Sequence, residues 1–269
     1  MANPFEKMPS PVGPEQKKEE GEAMRRQFET REREKFTVEL LTSPEDPRVN
    51  EVQKMLARRF GNAEVDPIAV MKEAMTGRMA TGEGCPRYLI TVVQNAEGKV
   101  VALATGAAVE LVDASGNLSR EKAVLLDAYT VVSKKMQQEG SVDGHLFEAR
   151  EQAARKDAES RGLEIAGYIV EDAGSDEILY NRHGARRVYI QSVWDTDLQG
   201  RPLTLFVEVP YIQPPVDWNE STGAPAKDAG SVPEHLMIKL ASGADELSGE
   251  ELMAMVRGMY YYNNYPGAD

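Results

Sequence analysis

Residues able to do chemistry are few in this chain, and their spacing excludes much. One cysteine, Cys85, has no partner for an internal disulfide, and His145, His183 and His235 are too far apart for metal-ligand spacing. Thiol nucleophilic catalysis and a structural zinc site are therefore disfavoured. Asp127 stands out, because it lies in the apolar run Leu125-Leu126-Asp127-Ala128-Tyr129, where a carboxylate is costly to bury without partners. A loop, Lys134 to Asp143, follows that run and could face a ligand before a helix begins.

The elements that must position these residues can be read in order. Phe36 to Leu41 alternates apolar and polar residues and predicts a strand. Asp46 and Pro47 open a helix carrying Val49, Val52, Leu56 and Phe60 at helical spacing, and a second helical pattern runs from Ile68 to Met75. Two strands follow, Arg87 to Gln94 and Lys99 to Leu111, joined by the turn Asn95-Ala96-Glu97-Gly98. Ala123 to Val132 makes the next strand, Gly144 to Arg161 a helix stopped by Gly162, and Leu163 to Val170 a buried strand. A short helix through Tyr180 ends at Gly184, Val188 to Trp194 is extended, and Leu203 to Tyr211 is read as the last strand. From Asp217 to Pro233 the composition is that of a loop, and a helix over Gly249 to Tyr260 closes the pattern in a tyrosine cluster.

Three segments are expected: a charged N-terminal arm over 1–35, a folded unit over 36–215, and a C-terminal extension over 216–269. The arm is read as helix-capable, with Met24 and Phe28 on one face. The arm is read as a solvated or flexible tail, or as packing on a partner through that short stripe, and the C-terminal helix as packing onto the folded unit or a neighbouring subunit, so self-association through the extensions is one reading. The formal charge of −13 argues against nucleic acid or an anionic membrane as partner and suits a cationic or amine-bearing one. No apolar run approaches the roughly 20 residues of a membrane span, and Met1 to Gln16 has four prolines and no apolar core, so a soluble cytoplasmic protein is expected.

The order of elements from Phe36 to Tyr211 resembles the GNAT superfamily of acyl-CoA-dependent N-acyltransferases. The most specific piece is Ile178-Leu179-Tyr180-Asn181-Arg182-His183-Gly184-Ala185-Arg186-Arg187-Val188, which looks like the family's "LYxKxGFxxV" helix and turn. Leu125 to Val131 likewise looks like the strand before the family's pyrophosphate loop. The resemblance implies an α/β (α+β) fold, a mixed, mostly antiparallel twisted sheet flanked by helices. It also implies acetyl-CoA or another acyl-CoA as co-substrate and a small-molecule or peptide amine as acceptor.

In such a fold, small residues and a helix N-terminus let backbone N–H groups approach the pyrophosphate. The positions implied here are Val131, Val132, Gln137, Gly140, Ser141, Val142 and Gly144, with Asn181 from the short helix. Glu139 and Asp143 place negative charge in this loop, and Lys134 and Lys135 lie at its start. The resemblance implies Tyr180 as the acid that protonates the departing thiolate and Asp127 as a base acting through water. Both residues also have structural readings, Tyr180 packing under the sheet and Asp127 capping a turn or meeting an arginine. The Gly82-Glu83-Gly84 loop either borders the acceptor pocket or is a plain connection, and His145 and His183 are read as exposed. Two functions remain open: an N-acyltransferase, or a catalytically silent protein of the same fold that binds a ligand or another protein.

Overall fold

The computed structural model describes residues 25–29, 34–61, 65–79, 82–83, 86–133, 136, 142–172, 177–196, 199–208, 210–213, 232–241 and 248–263. Its centre is a sheet built from β1 (Arg26–Glu29), β2 (Lys35–Leu41), β5 (Leu89–Gln94), β6 (Val100–Val112), β7 (Leu118–Val132), β8 (Glu164–Asp172), β13 (Val232–Leu240) and β12 (Pro210–Gln213), in that spatial order. A short β9 (Arg186–Arg187) also pairs with β13. Two small ribbons lie outside this sheet, β3 (Arg78–Met79) with β4 (Gly82–Glu83), and β10 (Tyr189–Thr196) with β11 (Pro202–Glu208). Neighbouring strands of the main sheet run antiparallel except β7 and β8, which are parallel. The fold is thus mixed α/β with a mostly antiparallel sheet, as expected.

Helices cover both faces. On one face, α1 (Pro47–Phe60) and α2 (Ile68–Ala74) bury Val49, Val52, Leu56 and Met71 against Ile90, Val92 and Leu103. Asp46 caps α1 as its sequence predicts, its Oδ1 accepting from Arg48 N at 2.9 Å. On the other face α3 (Val142–Ser160) lays Leu146, Ala149, Ala153 and Ala154 on Val38, Val93, Ala104 and Leu125. The short α4 (Glu177–Arg182) joins this second face through Tyr180, which packs with Phe147, Val170, Ala185 and Met237. Among the described residues no helix is long and apolar enough to cross a membrane.

Three readings of the sequence are corrected. Arg26 to Glu29 is a strand, not part of a helix, because Phe28 finds Phe36 opposite it on β2 with ring centroids 5.6 Å apart. That cross-strand pair outweighs a helical preference spread over a polar run. The strand read over Leu203 to Tyr211 is two strands with different neighbours: β11 pairs with β10, and β12 with β13. Finally, β13 enters the main sheet between β8 and β12, in a region read as loop and extension.

The segment after 216 therefore supplies structure to the same sheet. The last helix, α5 (Gly249–Asn263), opens on a capping box in which Glu251 N donates to Ser248 Oγ and Ser248 N donates to Glu251 Oε2, both at 3.1 Å. It then buries Met255 and Met259 among Ala107, Val109, Val124, Leu126 and Leu236, on the face it shares with α1 and α2. Gly258 permits this close approach: a Cβ there would lie 2.4 Å from Glu110 O.

Candidate functional site

The ladder between the parallel strands β7 and β8 ends at Asp127 and Val170, although β7 runs on to Val132 and β8 to Asp172. The strands part here, at their C-terminal ends, which is where open sheets of parallel strands commonly bind ligands. On the other side of β7 the register slips at the same place. Thr105 lies opposite Tyr129 while Gly106 lies opposite Asp127, so Ala128 is an extra residue in a bulge. Gly106 makes the bulge possible, since a Cβ there would sit 2.1 Å from Leu126 O. The extra residue sends both Ala128 and Tyr129 toward the α1 and α2 face, whereas Asp127 meets α3.

Asp127 is 3% exposed and forms an ion pair with Arg150 of α3, which is equally buried. The contact lacks the aligned N–H···O geometry of a hydrogen bond. Thr130 Oγ1 donates to Asp127 Oδ1 at 3.2 Å. The Arg150 guanidinium in turn lies 4.5 Å from the centroid of the Phe147 ring. Phe147 stacks on His183 at 4.2 Å and meets Tyr180 edge-on at 6.2 Å. His183 Nε2 lies 3.3 Å from Asp143 Oδ2, and Arg182 Nη1 donates to the same oxygen at 3.1 Å. Asp127 and Tyr180, 53 positions apart in the chain, thus belong to one chain of side-chain contacts through Arg150 and Phe147.

The remaining implied residues fall in three groups. Gln137, Gly140 and Ser141 lie outside the described residues, as does Cys85. Val131 and Val132 end β7 with half-buried side chains, and Asn181 is half-buried in α4, where its carbonyl accepts from Arg186 Nη1 at 2.9 Å. Val142 and Gly144 form the first turn of α3. The Val142 side chain is core, packed with Phe36, Val38 and Leu146, while a Cβ on Gly144 would meet nothing within 4 Å. The first turn of this helix already carries a carboxylate, the buried Asp143, whose Oδ1 has no hydrogen-bond partner among the described residues. Both histidines read as exposed are half-buried in ring contacts, His145 lying 4.1 Å from Phe28.

Arg150 and Phe147 were missed by the reading of the sequence. The signal for Arg150 was present, because positions 146, 150, 153 and 157 fall on one stripe of the helix and two of the four are charged. Asp157, the other, is 2% exposed, accepts from Arg87 Nε at 2.7 Å and pairs with Arg161 at 3.1 Å. A charge on an otherwise apolar stripe announces a buried ion pair.

No family model matches the chain, and no curated protein matches it. Solved structures do. One is a GNAT superfamily phosphinothricin acetyltransferase from Sinorhizobium meliloti in complex with AcCoA, 11% identical, aligned over 79% of this chain and 95% of that one with a TM-score of 0.43. Others are an acetyltransferase of the GNAT family from Staphylococcus aureus Mu50, at 9% identity, 76% and 98% coverage and a TM-score of 0.37, and the GNAT domain of S. lividans PAT, at 14%, 69% and 98%, and 0.36. The chain is similar to GNAT acetyltransferases. Identities and TM-scores this low are a finding about fold, and no residue, substrate or reaction is carried across from them.

Proposed function

We propose that this protein is an acyl-CoA-dependent N-acyltransferase that moves an acyl group, such as acetyl, from the coenzyme thioester to a primary amine. The observation that carries the reading is the parting of β7 and β8 at Asp127, with Phe147 of α3 and Tyr180 of α4 both packed with Val170 beside it. An extended thioester arm laid along Ala128 to Val132 brings its reacting end toward this gap. The neutral amine nitrogen attacks the thioester carbonyl, the C–S bond breaks, the departing thiolate takes a proton from the Tyr180 hydroxyl, and the proton lost by the nitrogen passes through solvent, which restores the phenol. The ion pair with Arg150 takes Asp127 out of proton transfer. In this reading Asp127 is a positioning residue, holding Arg150 and through it the Phe147 ring that Tyr180 packs against.

The anionic end of the coenzyme meets a mixed charge at α3. Asp143 opposes it, while Arg182 pairs with the same carboxylate and offsets that charge. Amine-dependent release of free thiol from acetyl-CoA tests the proposal. Thiol release above the no-amine rate supports it, and no release across a panel of primary amines contradicts it.

A second reading, a catalytically silent protein that binds a ligand or partner through this fold, is favoured by one observation. Asp127, Arg150, Phe147, Tyr180, His183 and Asp143 are joined by contacts with one another, as structural residues are. Binding of acetyl-CoA without turnover would single out this reading.

A further inference from the structure

Beside the C-terminal half of α3 a cleft opens between that helix and the sheet, where the ladder of β2 and β5 stops. The last pair of that ladder is Leu41 with Ile90, while Leu89, one residue earlier on β5, still pairs with Gly106 of β6. The cleft holds about 470 Å³ of empty space, part of it open to solvent, which suits a small ligand and not a nucleotide. Its floor is apolar. Leu40, Leu89 and Ala153 belong to one packed cluster there, and Met75, just past α2, adds to it.

The polar groups of the lining lean toward positive charge. Arg87 and Lys156 supply two cations, and the carboxylate among the described lining residues, Asp157, is 2% exposed and already paired twice. Arg87 Nε donates to its Oδ1 at 2.7 Å, and Arg161 Nη2 donates to its Oδ2 at 3.1 Å. Arg161 also pairs with Glu110. Lys156 differs from both arginines: it is exposed and makes no hydrogen bond or ion pair with any described residue. The exposed Thr42, also in the lining, has no side-chain hydrogen bond with any described residue.

Arg87, Lys156 and Arg161 stand against Asp157 and Glu110, so the lining and its ion-pair partners carry one positive charge in excess, in a chain of formal charge −13. Charges farther off than about 8 Å are largely screened at physiological ionic strength, so the local excess decides which ions enter. An anion without a chain would leave the apolar floor wet, and an alcohol would leave the Lys156 ammonium without a counter-charge.

We propose that this cleft binds a short-chain organic carboxylate, its headgroup at Lys156 and Thr42 and its chain on Leu40, Leu89 and Ala153. The site does not depend on the acyltransferase reading. It is nonetheless near the parting of β7 and β8, because Leu89 and Asp127 flank Gly106 from its two sides, about 10 Å apart across two strand spacings.

The test is an amide NMR titration of the full chain with sodium butyrate, with n-butanol and n-butylamine hydrochloride as controls of the same chain length. The proposal expects saturable butyrate binding in the millimolar range, with shifts at Thr42, Leu89 and Lys156, and none by the alcohol or the amine. Lys156→Gln is expected to weaken butyrate about fivefold, and Lys156→Glu at least about tenfold. Both substitutions fall at an exposed position, and the spectrum of each variant reports its fold. No saturable shift at tens of millimolar butyrate overturns the proposal. Equal affinity for butyrate and either control overturns it too, as does wild-type butyrate affinity in Lys156→Glu.

Discussion

Arg150 closes over Asp127 with both side chains 4% exposed, so the carboxylate at the parting of β7 and β8 is neutralised from the helix above it. Such a pair is expensive to break from one side, because the partner left behind is a buried, uncompensated charge. Arg150→Met is expected to lose about 3–5 kcal/mol, and the double variant Asp127→Asn with Arg150→Met to recover most of that loss. Denaturant unfolding of the four proteins in the cycle measures it. Additive single effects would show that the two residues do not act as a pair.

Tyr180→Phe removes one hydroxyl from a ring 8% exposed and leaves its packing on Phe147 and Met237 in place. As the proton donor, Tyr180 is worth about 10²-fold or more in turnover. The variant is expected to lose that factor in kcat while keeping its acetyl-CoA affinity. A wild-type rate would assign Tyr180 to packing alone.

Asp66 sets a pH dependence of stability whose sign is opposite to that of a salt-bridged carboxylate. Its folded pKa of about 6 stands above the ordinary 3.8, so the folded state binds the proton more tightly. Its contribution is full below pH 3.8 and is lost as pH rises through about 6. That loss is on the order of 3 kcal/mol at most. Asp66→Asn is therefore expected to melt higher than wild type at pH 7.5 and to flatten the fall between about pH 4 and pH 6. An unchanged melting temperature at pH 7.5 would contradict a carboxyl pKa raised by burial.

Gly106 and Gly144 separate backbone constraint from open space. Gly106→Ala drives a Cβ to 2.1 Å from Leu126 O, and backbone must shift, at a cost of about 1–3 kcal/mol or more. Gly144→Ala meets nothing within 4 Å and sits in a helix, so it is expected to be neutral or to stabilise by up to about 1 kcal/mol. Thermal melts of the two variants decide it, and a harmless Gly106→Ala would remove the bulge from the account.

Much of the fold was legible because local signals agreed with tertiary ones. Asp46 before Pro47, the Asn95 to Gly98 turn and the Tyr180 to Gly184 helix end all lie where their chemistry predicts. What was hidden depended on partners distant in sequence. β13 carries Leu236, Met237 and Ile238 in succession and is flanked by sheet on both sides, so it shows no alternation, and Pro233 with the preceding loop-like run masks its start. β1 is four residues long with Phe28 as its one aromatic anchor. At the site, Asp127 was visible as a misplaced charge, but its ion pair with Arg150, one of its two foreseen structural readings, was settled only by how α3 lies on the sheet. The bulge at Ala128 is a matter of register and leaves no mark in composition. Asp66 was passed over because an aspartate before Pro67 reads as a helix start.

The most direct test of the central claim is a thermal-shift titration of the full chain with acetyl-CoA, paired with free CoA. A ligand that binds the folded state stabilises it by about 2.7 kcal/mol at a concentration 100 times its Kd, which raises the melting temperature progressively. The account predicts a saturable, dose-dependent rise with both forms of the coenzyme. No shift at millimolar acetyl-CoA would contradict it.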